Sequence, residues 1–296
     1  MLDYRAIAAL HAIIETQGFE TAAQKLFITQ SAVSQRIRTL ENYYGKPVLI
    51  RTLPYRPTEL GKSLLGHYKR LMFLEESLKL TLSTEKQSPR ISIAISRDSL
   101  ETWFVEVMER LETILPITLE ALADDQEDTL EYLKKGLVSA CASTEARPIT
   151  GCHAKFLGYF DYVLVASPEF IHNYFKHKKD RVKNLRKAPH VIFDSKDYLH
   201  ARYLKKFFNI TDAGSHYHVV PSVAGFRQFA LKGHACALIP EIDIKKELVQ
   251  KKLINLFPDK IWKMPIYWHS WVLENKNYEE FNDLVLKVAK NILRQS

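Results

Sequence analysis

The clearest hydrophobic pattern in the chain lies close to its N-terminus. Val33, Ile37 and Leu40 are spaced i, i+4, i+7, which places apolar side chains on one face of a helix. Thr29 is a suitable N-cap, so this helix should begin at Gln30. At about 100° per residue the opposite side is polar. We therefore expect a helix with one buried face and one hydrophilic face.

A shorter helical segment precedes this one. Ala22 to Leu26 has the small side chains that allow close packing, and Thr21 with Gln24 would form a capping box at its start. The turn between the two segments is only about three residues long. Two capped helices joined so tightly are typical of a helix-turn-helix unit.

The polar face of the second helix carries side chains suited to reading DNA. Gln and Arg recognise base edges, Ser donates or accepts, and amides at a helix N-terminus bind phosphate. The basic segment from Val48 to Thr58 follows, and its pattern predicts a β-wing whose arginines lie near the phosphate backbone or the minor groove. The residues expected to contact DNA are Gln30, Ser31, Ser34, Gln35, Arg38, Arg51 and Arg56.

A polar helix face alone is also what any solvated helix presents. The conjunction of two capped helices, a tight turn and a basic wing favours DNA binding, and residues 19–58 hold six Lys or Arg against two Glu. The net charge of +8 likewise favours a polyanionic partner. The largest basic excess lies at residues 172–206, and this patch could touch flanking DNA or be a solvated surface.

A long helical pattern starts after Thr58, a suitable N-cap, and runs into the low eighties. Its apolar residues recur every three or four positions, and the stripe is longer than a small winged helix can cover. It could pack on its own domain, but a second subunit covers it better. We expect dimerisation through Leu64, Leu71 and Leu78, which would match a pseudo-palindromic DNA site. The polar residues 83–89 end in proline and predict a hinge.

Beyond the hinge, strand patterns alternate with helical patterns, which indicates a mainly parallel α/β sheet. The final amphipathic helix is predicted from about Tyr278 to Leu293. The predicted strands are residues 91–95, 119–123, 137–142, 162–166, 191–193, 219–220, 235–239 and 266–271.

Small ligands of such domains bind beyond the C-terminal ends of strands, beside helix N-termini. A helix start near Ser99 has amides that could hold a carboxylate, and acidic side chains nearby suit a cation. Together they suit an amino acid with a cationic side chain. The acidic run that begins at Asp124 has a plainer explanation too, as a helix start favoured by the dipole. The candidate effector residues are Ser96, Asp98, Ser99, Thr102, Asp124, Asp194 and Ser222.

No enzymatic motif stands out, since the chain has no nucleophile elbow, P-loop, HExxH or GxGxxG. We expect no catalytic residues, metal or cofactor. Cys141, Cys152 and Cys236 are odd in number and lack a CxxC spacing, which argues against a disulfide framework or a zinc site. Cys141 and Cys236 lie in small apolar stretches, so we expect them to be buried thiols. Without a membrane-length apolar run or a signal peptide, we expect a cytoplasmic protein that makes no membrane contact.

The chain resembles a known family in several stretches. The first two are Ala22-Ala23-Gln24-Lys25-Leu26, continued from Ile28 to Ile37, and Arg56-Pro57-Thr58-Glu59. They resemble LysR-type transcriptional regulators, most closely the arginine- and lysine-responsive branch of the ArgP (also called IciA) and LysG type. The resemblance continues through Asp98-Ser99-Leu100 to Tyr267-Trp268-His269 and so covers nearly the whole chain.

The resemblance implies a fold class and an assembly. The fold is α/β, with an N-terminal all-α winged helix-turn-helix (1–58), a linker helix and hinge (59–88) and an effector domain like a periplasmic binding protein (89–296). Lobe I of that domain is 89–161 with 268–296, and lobe II is 162–267. The implied assembly is a dimer or tetramer on double-stranded DNA, with RNA polymerase as a further partner.

The resemblance also implies lysine or arginine as the effector and control of amino acid transport or metabolism genes. The chain departs from that branch at Ser96-Arg97, where the branch has Asn-Ala. An Arg here could repel a cationic ligand or point outward. Two alternatives to a regulator are a sequence-tolerant DNA-binding protein acting on chromosome structure or replication initiation, and an enzyme built on the α/β lobes.

Overall fold

A computed structural model describes residues 2–82, 90–114, 117–176, 181–194, 197–211, 216–273 and 275–296. The hinge predicted at residues 83–89 lies outside these ranges. The chain forms two compact units. The first comprises Met1–Ile95, Arg110–Ala154 and Trp268–Asp283, and the second comprises Ser96–Glu109, Lys155–Tyr267 and Leu284–Ser296. The domain and lobe bounds stay a prediction.

The first unit begins with three packed helices, a two-stranded wing and a long helix. Their bounds are α1 Tyr4–Thr16, α2 Phe19–Lys25, α3 Gln30–Tyr44, β1 Leu49–Ile50, β2 Arg56–Pro57 and α4 Glu59–Leu82. The core includes Ile13 of α1, the predicted stripe of α3 and Leu64 of α4. The predicted helix-turn-helix, wing and long helix are all present.

The first helix of the predicted pair starts three residues earlier than expected. Gly18 is the N-cap of α2 and provides no side-chain cap. Thr21 instead lies in the first turn, where its hydroxyl donates to the Thr16 hydroxyl (2.9 Å) and the Gly18 carbonyl (3.2 Å). The predicted capping box is wrong because it needs Thr21 outside the helix. The Thr29 cap is confirmed, since its hydroxyl accepts from the Ala32 amide at 3.2 Å.

Strands and helices then alternate as predicted, with shifted bounds. Residues Ser96–Glu109 of this stretch, and Lys155 onward, belong to the second unit. The bounds are β3 Arg90–Ser96, α5 Arg97–Glu101, α6 Trp103–Ile114, β4 Thr118–Asp124, α7 Thr129–Lys134, β5 Ala140–Ser143 and β6 Cys152–Ala166. Within the first unit β3 pairs with β5 in parallel, at Ile93↔Ala140.

The remaining elements complete the second unit, except for Trp268–Asp283, which belong to the first. They are α8 Pro168–Tyr174, α9 Arg181–Leu185, β7 His190–Ile192, α10 Tyr198–Phe208, β8 Tyr217–Val219, α11 Val223–Leu231, β9 Ala237–Pro240, α12 Lys245–Val249, β10 Ile254–Asn255, β11 Trp262–Trp271 and α13 Lys276–Ile292. The expectation of a mainly parallel sheet needs correction. β7 and β8 are parallel, but β6 is a long strand that pairs antiparallel with both β9 and β10.

A backbone contact joins α4 to the turn after α7 within the first unit. A Cβ built on Gly66 would overlap the carbonyl oxygen of Lys135, and one built on Gly136 would overlap the carbonyl oxygen of Gly66. Gly136 also has a φ of +63°, a conformation that side chains disfavour. Glycine at both positions lets the two backbones touch.

Candidate functional site

The polar face of α3 is available for binding. Val33, Ile37 and Leu40 are buried against α1 and α2. The polar residues predicted to contact DNA lie away from this stripe: Gln30, Ser31, Gln35 and Arg38 are exposed and Ser34 is half-buried. Amphipathic spacing therefore placed the outer face of this helix correctly.

The wing is a β-ribbon, as predicted, with Leu49 opposite Pro57 and Ile50 opposite Arg56. Arg56 is exposed. The guanidinium of Arg51 has a partner in its own chain, because Nη2 lies 2.9 Å from Oε2 of Glu41 on α3. This ion pair connects the wing to α3. It also distinguishes the two arginines, since Arg51 pairs with Glu41 whereas Arg56 is exposed.

The long helix α4 leaves apolar surface uncovered in its second half. Leu64 is only 7% exposed and packs in the core of its own N-terminal domain, so its predicted place in a dimer interface is corrected. Leu71 is half-buried and Leu78 is 58% exposed. Met72 and Leu74, which the sequence prediction omitted, are exposed beside them.

The helix start predicted near Ser99 is organised differently. Ser96 is the N-cap of α5, and its hydroxyl accepts from the Ser99 amide at 3.2 Å. The Thr102 hydroxyl donates to the Asp98 carbonyl at 2.6 Å. Because α5 has only five residues and its Ser99 amide is already capped by Ser96, the carboxylate site expected on these amides stays a prediction. The Ser99 hydroxyl differs, for it is buried and contacts no hydrogen-bond partner among the described residues.

Asp98 is the most perturbed acid of this region. The phenol of Tyr162 donates to its carboxyl group at 2.6 Å. Burial raises the pKa of Asp98 to about 6, while the Tyr162 hydrogen bond opposes that shift and the charges of Asp197 and Asp243 add to it. A carboxyl group perturbed in this way beside further acids is a candidate site for a cation.

An arginine and an aromatic ring lie next to this acid. The guanidinium of Arg97 is 4.7 Å from the ring centroid of Phe193, so Arg97 does not simply point outward. The amide of Phe193 donates to Oδ2 of Asp197 at 3.0 Å. Sequence inspection missed Tyr162, Phe193 and Asp197, although Phe193 ends a predicted strand and Asp197 has the residue type of a helix N-cap.

The structure brings some of the other predicted effector residues to this region. Ser222 caps α11 by accepting from the Gly225 amide at 3.1 Å, and α11 contacts α5. Asp194 directly follows Phe193 and is half-buried. Asp124 belongs to the first unit, where the Tyr132 phenol donates to its carboxylate at 2.6 Å.

A second buried cluster went unnoticed in the sequence. His200 Nε2 lies 3.0 Å from His190 Nδ1, and the Cys236 thiol lies 3.3 Å from that same nitrogen. Burial lowers the pKa of His200 to about 3 and raises that of the Cys236 thiol. The prediction of buried thiols is confirmed for Cys141 and Cys236, whereas Cys152 is half-buried.

The described residues also lack two kinds of feature. They include no group of three or more His, Cys, Asp or Glu side chains able to hold a metal ion. No helix among them combines the length and apolar character that crossing a bilayer requires.

The chain matches known proteins along its whole length. Residues 4–62 match the model of the bacterial regulatory helix-turn-helix proteins of the lysR family. HTH-type transcriptional regulators named ArgP, from Vibrio cholerae serotype O1 and Pectobacterium carotovorum, are 42% and 39% identical over 99% of each chain.

Two solved structures share the fold at 29% identity. ArgP from Mycobacterium tuberculosis superposes with a TM-score of 0.88 over 100% of both chains. Full-length LysG from Corynebacterium glutamicum with bound effector Arg gives a TM-score of 0.81 over 99% of this chain and 100% of that one.

Proposed function

The chain belongs to the LysR family of bacterial helix-turn-helix transcriptional regulators, and on that basis we propose that it binds a specific operator and responds to a basic amino acid. The observation that carries the DNA-binding role is α3, whose polar face is exposed while its apolar stripe is buried. Such a helix can enter the major groove without loss of its own core. Because the proposed target is chromosomal DNA, we place the protein in the cytoplasm.

The operator role is tested by selecting duplexes from a random library with the full-length protein. The selected duplex should bind at least about a thousandfold more tightly than a scrambled one at physiological salt. Equal affinity for both duplexes would instead favour sequence-tolerant DNA binding. The full-length similarity to named regulators does not favour that alternative.

Effector binding is proposed for the region around Asp98. The half-buried carboxyl group of Asp98 would accept the α-ammonium, and the buried Ser99 hydroxyl would donate to the α-carboxylate. Asp194, together with Asp197, would meet the cationic end of the side chain. Support comes from the concentration of acids around the Asp98 carboxyl group and from the arginine in the related LysG structure.

Calorimetry with lysine, arginine and leucine tests this assignment. Both basic amino acids should bind the wild type at millimolar concentration or below, and leucine should not. Asp194→Asn should weaken lysine binding severely, because a buried ammonium without its partner is unfavourable by about 2–5 kcal/mol. Asp124→Asn tests separately the other carboxylate that the sequence predicted to bind the effector. Its oxygens already accept hydrogen bonds from Tyr132 and the Asp125 amide.

Self-association is proposed through the second half of α4, giving a dimer or tetramer on a pseudo-palindromic operator. Leu71→Glu with Leu78→Glu would bury unpaired charges at that interface, which is strongly unfavourable. We expect folded monomers with weak operator binding. Ser63→Glu, at an exposed position of the same helix, is the matched control. An intact dimer of the double variant in sedimentation would contradict this interface.

A further inference from the structure

The acidic region around Asp98 contains a cation of its own. Arg97 places its guanidinium 4.7 Å from the centroid of the Phe193 ring. The Phe193 backbone amide donates to Asp197, and the Phe193 ring lies 6.4 Å from that of Phe226, centroid to centroid. All four residues belong to the second unit. Phe193 therefore gives this region an aromatic surface, and Arg97 covers it.

An aromatic face and carboxylates serve the two basic amino acids unequally. A guanidinium is planar and weakly hydrated, so it gains from stacking on a ring as well as from a carboxylate. An ammonium is a compact, strongly hydrated charge whose main need is the carboxylate. Covering the ring removes the surface that would reward arginine and leaves the carboxylates that suit lysine.

We propose that Arg97, stacked on Phe193, is a specificity-determining residue that makes this protein favour lysine over arginine as its effector. This inference rests on the proposed function, since it concerns the same acidic region. The Arg97 side chain has the same guanidinium group as the disfavoured ligand, arginine, and occupies the surface on which that ligand would stack. Its positive charge acts on both ligands alike, because each carries one cationic side chain. The ratio of the two affinities therefore isolates the contribution of stacking.

The experiment is calorimetry of the full-length protein with L-lysine and L-arginine on the wild type and Arg97→Ala. In the wild type lysine should bind more tightly than arginine, because the ring is covered and the remaining carboxylates suit the compact ammonium of lysine. Arg97→Ala should raise both affinities through the lost repulsion, and it should raise the arginine affinity about tenfold more, the size expected of one partly desolvated cation–π contact. The preference for lysine should thus vanish.

Two further variants test the mechanism. Arg202→Ala is the matched control, because Arg202 also faces a ring, that of Tyr198 at 6.0 Å, on an exposed part of the same unit. It should leave the ratio unchanged. Adding Phe193→Leu to Arg97→Ala should restore the preference for lysine, because it removes the ring on which arginine stacks in the single variant. Circular dichroism and lysine binding by that double variant establish that it is folded.

The possible failures can be told apart. If both amino acids bind but their affinity ratio is the same in wild type and Arg97→Ala, this inference is wrong and the proposed effector class stands. A wild type that prefers arginine overturns it too. If neither amino acid binds either protein at millimolar concentration, the effector assignment and this inference are both wrong.

Discussion

The polar side chains of α3, the proposed recognition helix, and those around Asp98 have opposite surroundings. On α3 the side chains of Gln35 and Arg38 are exposed to solvent. Around Asp98 the polar groups bond to one another: Tyr162 donates to Asp98, and Ser96 accepts from the Ser99 amide. The polar face of α3 can therefore contact DNA, a charged and hydrated partner, without breaking contacts between Gln35 or Arg38 and the protein core. The region around Asp98 must exchange internal contacts for those of a ligand.

This difference sets the size of the effects to expect. An exposed side chain that contacts a base loses only that contact when it is truncated. A buried acid loses the contact and leaves a desolvated ligand charge without compensation. Substitutions around Asp98 should therefore be more damaging to ligand binding than substitutions on α3 are to DNA binding.

The largest effect is expected from Asp98→Asn, which keeps the shape of the side chain and removes its charge. Effector affinity should fall by about 2–5 kcal/mol, because the α-ammonium is then buried without a carboxylate. Operator binding by the effector-free protein should be unchanged. Calorimetry with lysine and anisotropy with the selected duplex measure the two quantities. Normal lysine binding by this variant would remove the contrast between the two regions.

A smaller loss is expected on α3. Arg38→Ala should weaken specific DNA binding by about 1–3 kcal/mol if Arg38 contacts a base, and the preference for that base should relax. Ser34→Ala tests the half-buried neighbour on the same side. Anisotropy on the selected and scrambled duplexes supplies both affinities. If neither variant alters specific binding, α3 is not the recognition helix.

The affinity for lysine should change about fourfold with pH, because Asp98 titrates. A carboxyl group with a pKa of about 6 is mostly ionised at pH 7.0 and mostly protonated at pH 5.5. A cation binds the ionised form, so lysine affinity should fall about fourfold as the pH falls over that range. Lysine itself keeps its charges there. Tyr162→Phe removes the hydrogen bond that holds the pKa of Asp98 down, and it should move the midpoint to higher pH.

The stability of the folded protein limits how low the pH can be taken in that titration. Burial lowers the pKa of His200 to about 3, below its unfolded value near 6.5. The unfolded chain therefore binds more protons between these values, so the free energy of unfolding falls as the pH falls below about 6.5. Circular dichroism at pH 5.5 controls for this loss. A lysine affinity that does not change in a protein still folded would contradict the role of Asp98.

The smallest effect is expected from Arg51→Ala. Because Arg51 already pairs with Glu41, a phosphate contact must compete with an exposed ion pair worth up to about 1 kcal/mol. Arg56→Ala should weaken all duplexes alike and reduce the salt slope by about one. Arg51→Ala should do so less. Titrations at several salt concentrations compare the two, and a larger loss for Arg51 would mean that DNA displaces Glu41.

Local sequence signals predicted the N-terminal domain well. The stripe on α3, its Thr29 cap and the wing each follow from residues within a few positions of one another, and those signals were confirmed. The start of α2 was missed because Gly18 caps it without a side chain. Patterns of local residues also found most strands, although not the full length of β6.

The region around Asp98 could be predicted only in part. Its helix-start residues and Asp194 stand out because polar side chains follow strands. Tyr162 is 64 positions away from Asp98, and nothing in the spacing connects the two. Pairing across such a distance depends on how strands and helices pack, which local patterns do not report. The departure at Arg97 was visible in the sequence, but its stacking on Phe193 was not.

The contact of Gly66 with Gly136 has a mechanical consequence. Where side chains separate two packed elements, a change of rotamer can absorb a small displacement of one element. At this contact backbone lies directly against backbone, and protein interiors compress little. Rotamer changes therefore cannot absorb a displacement of the turn after α7 at this contact with α4. The two glycines therefore make the contact between α4 and the turn after α7 stiff, so that these two segments are expected to move together.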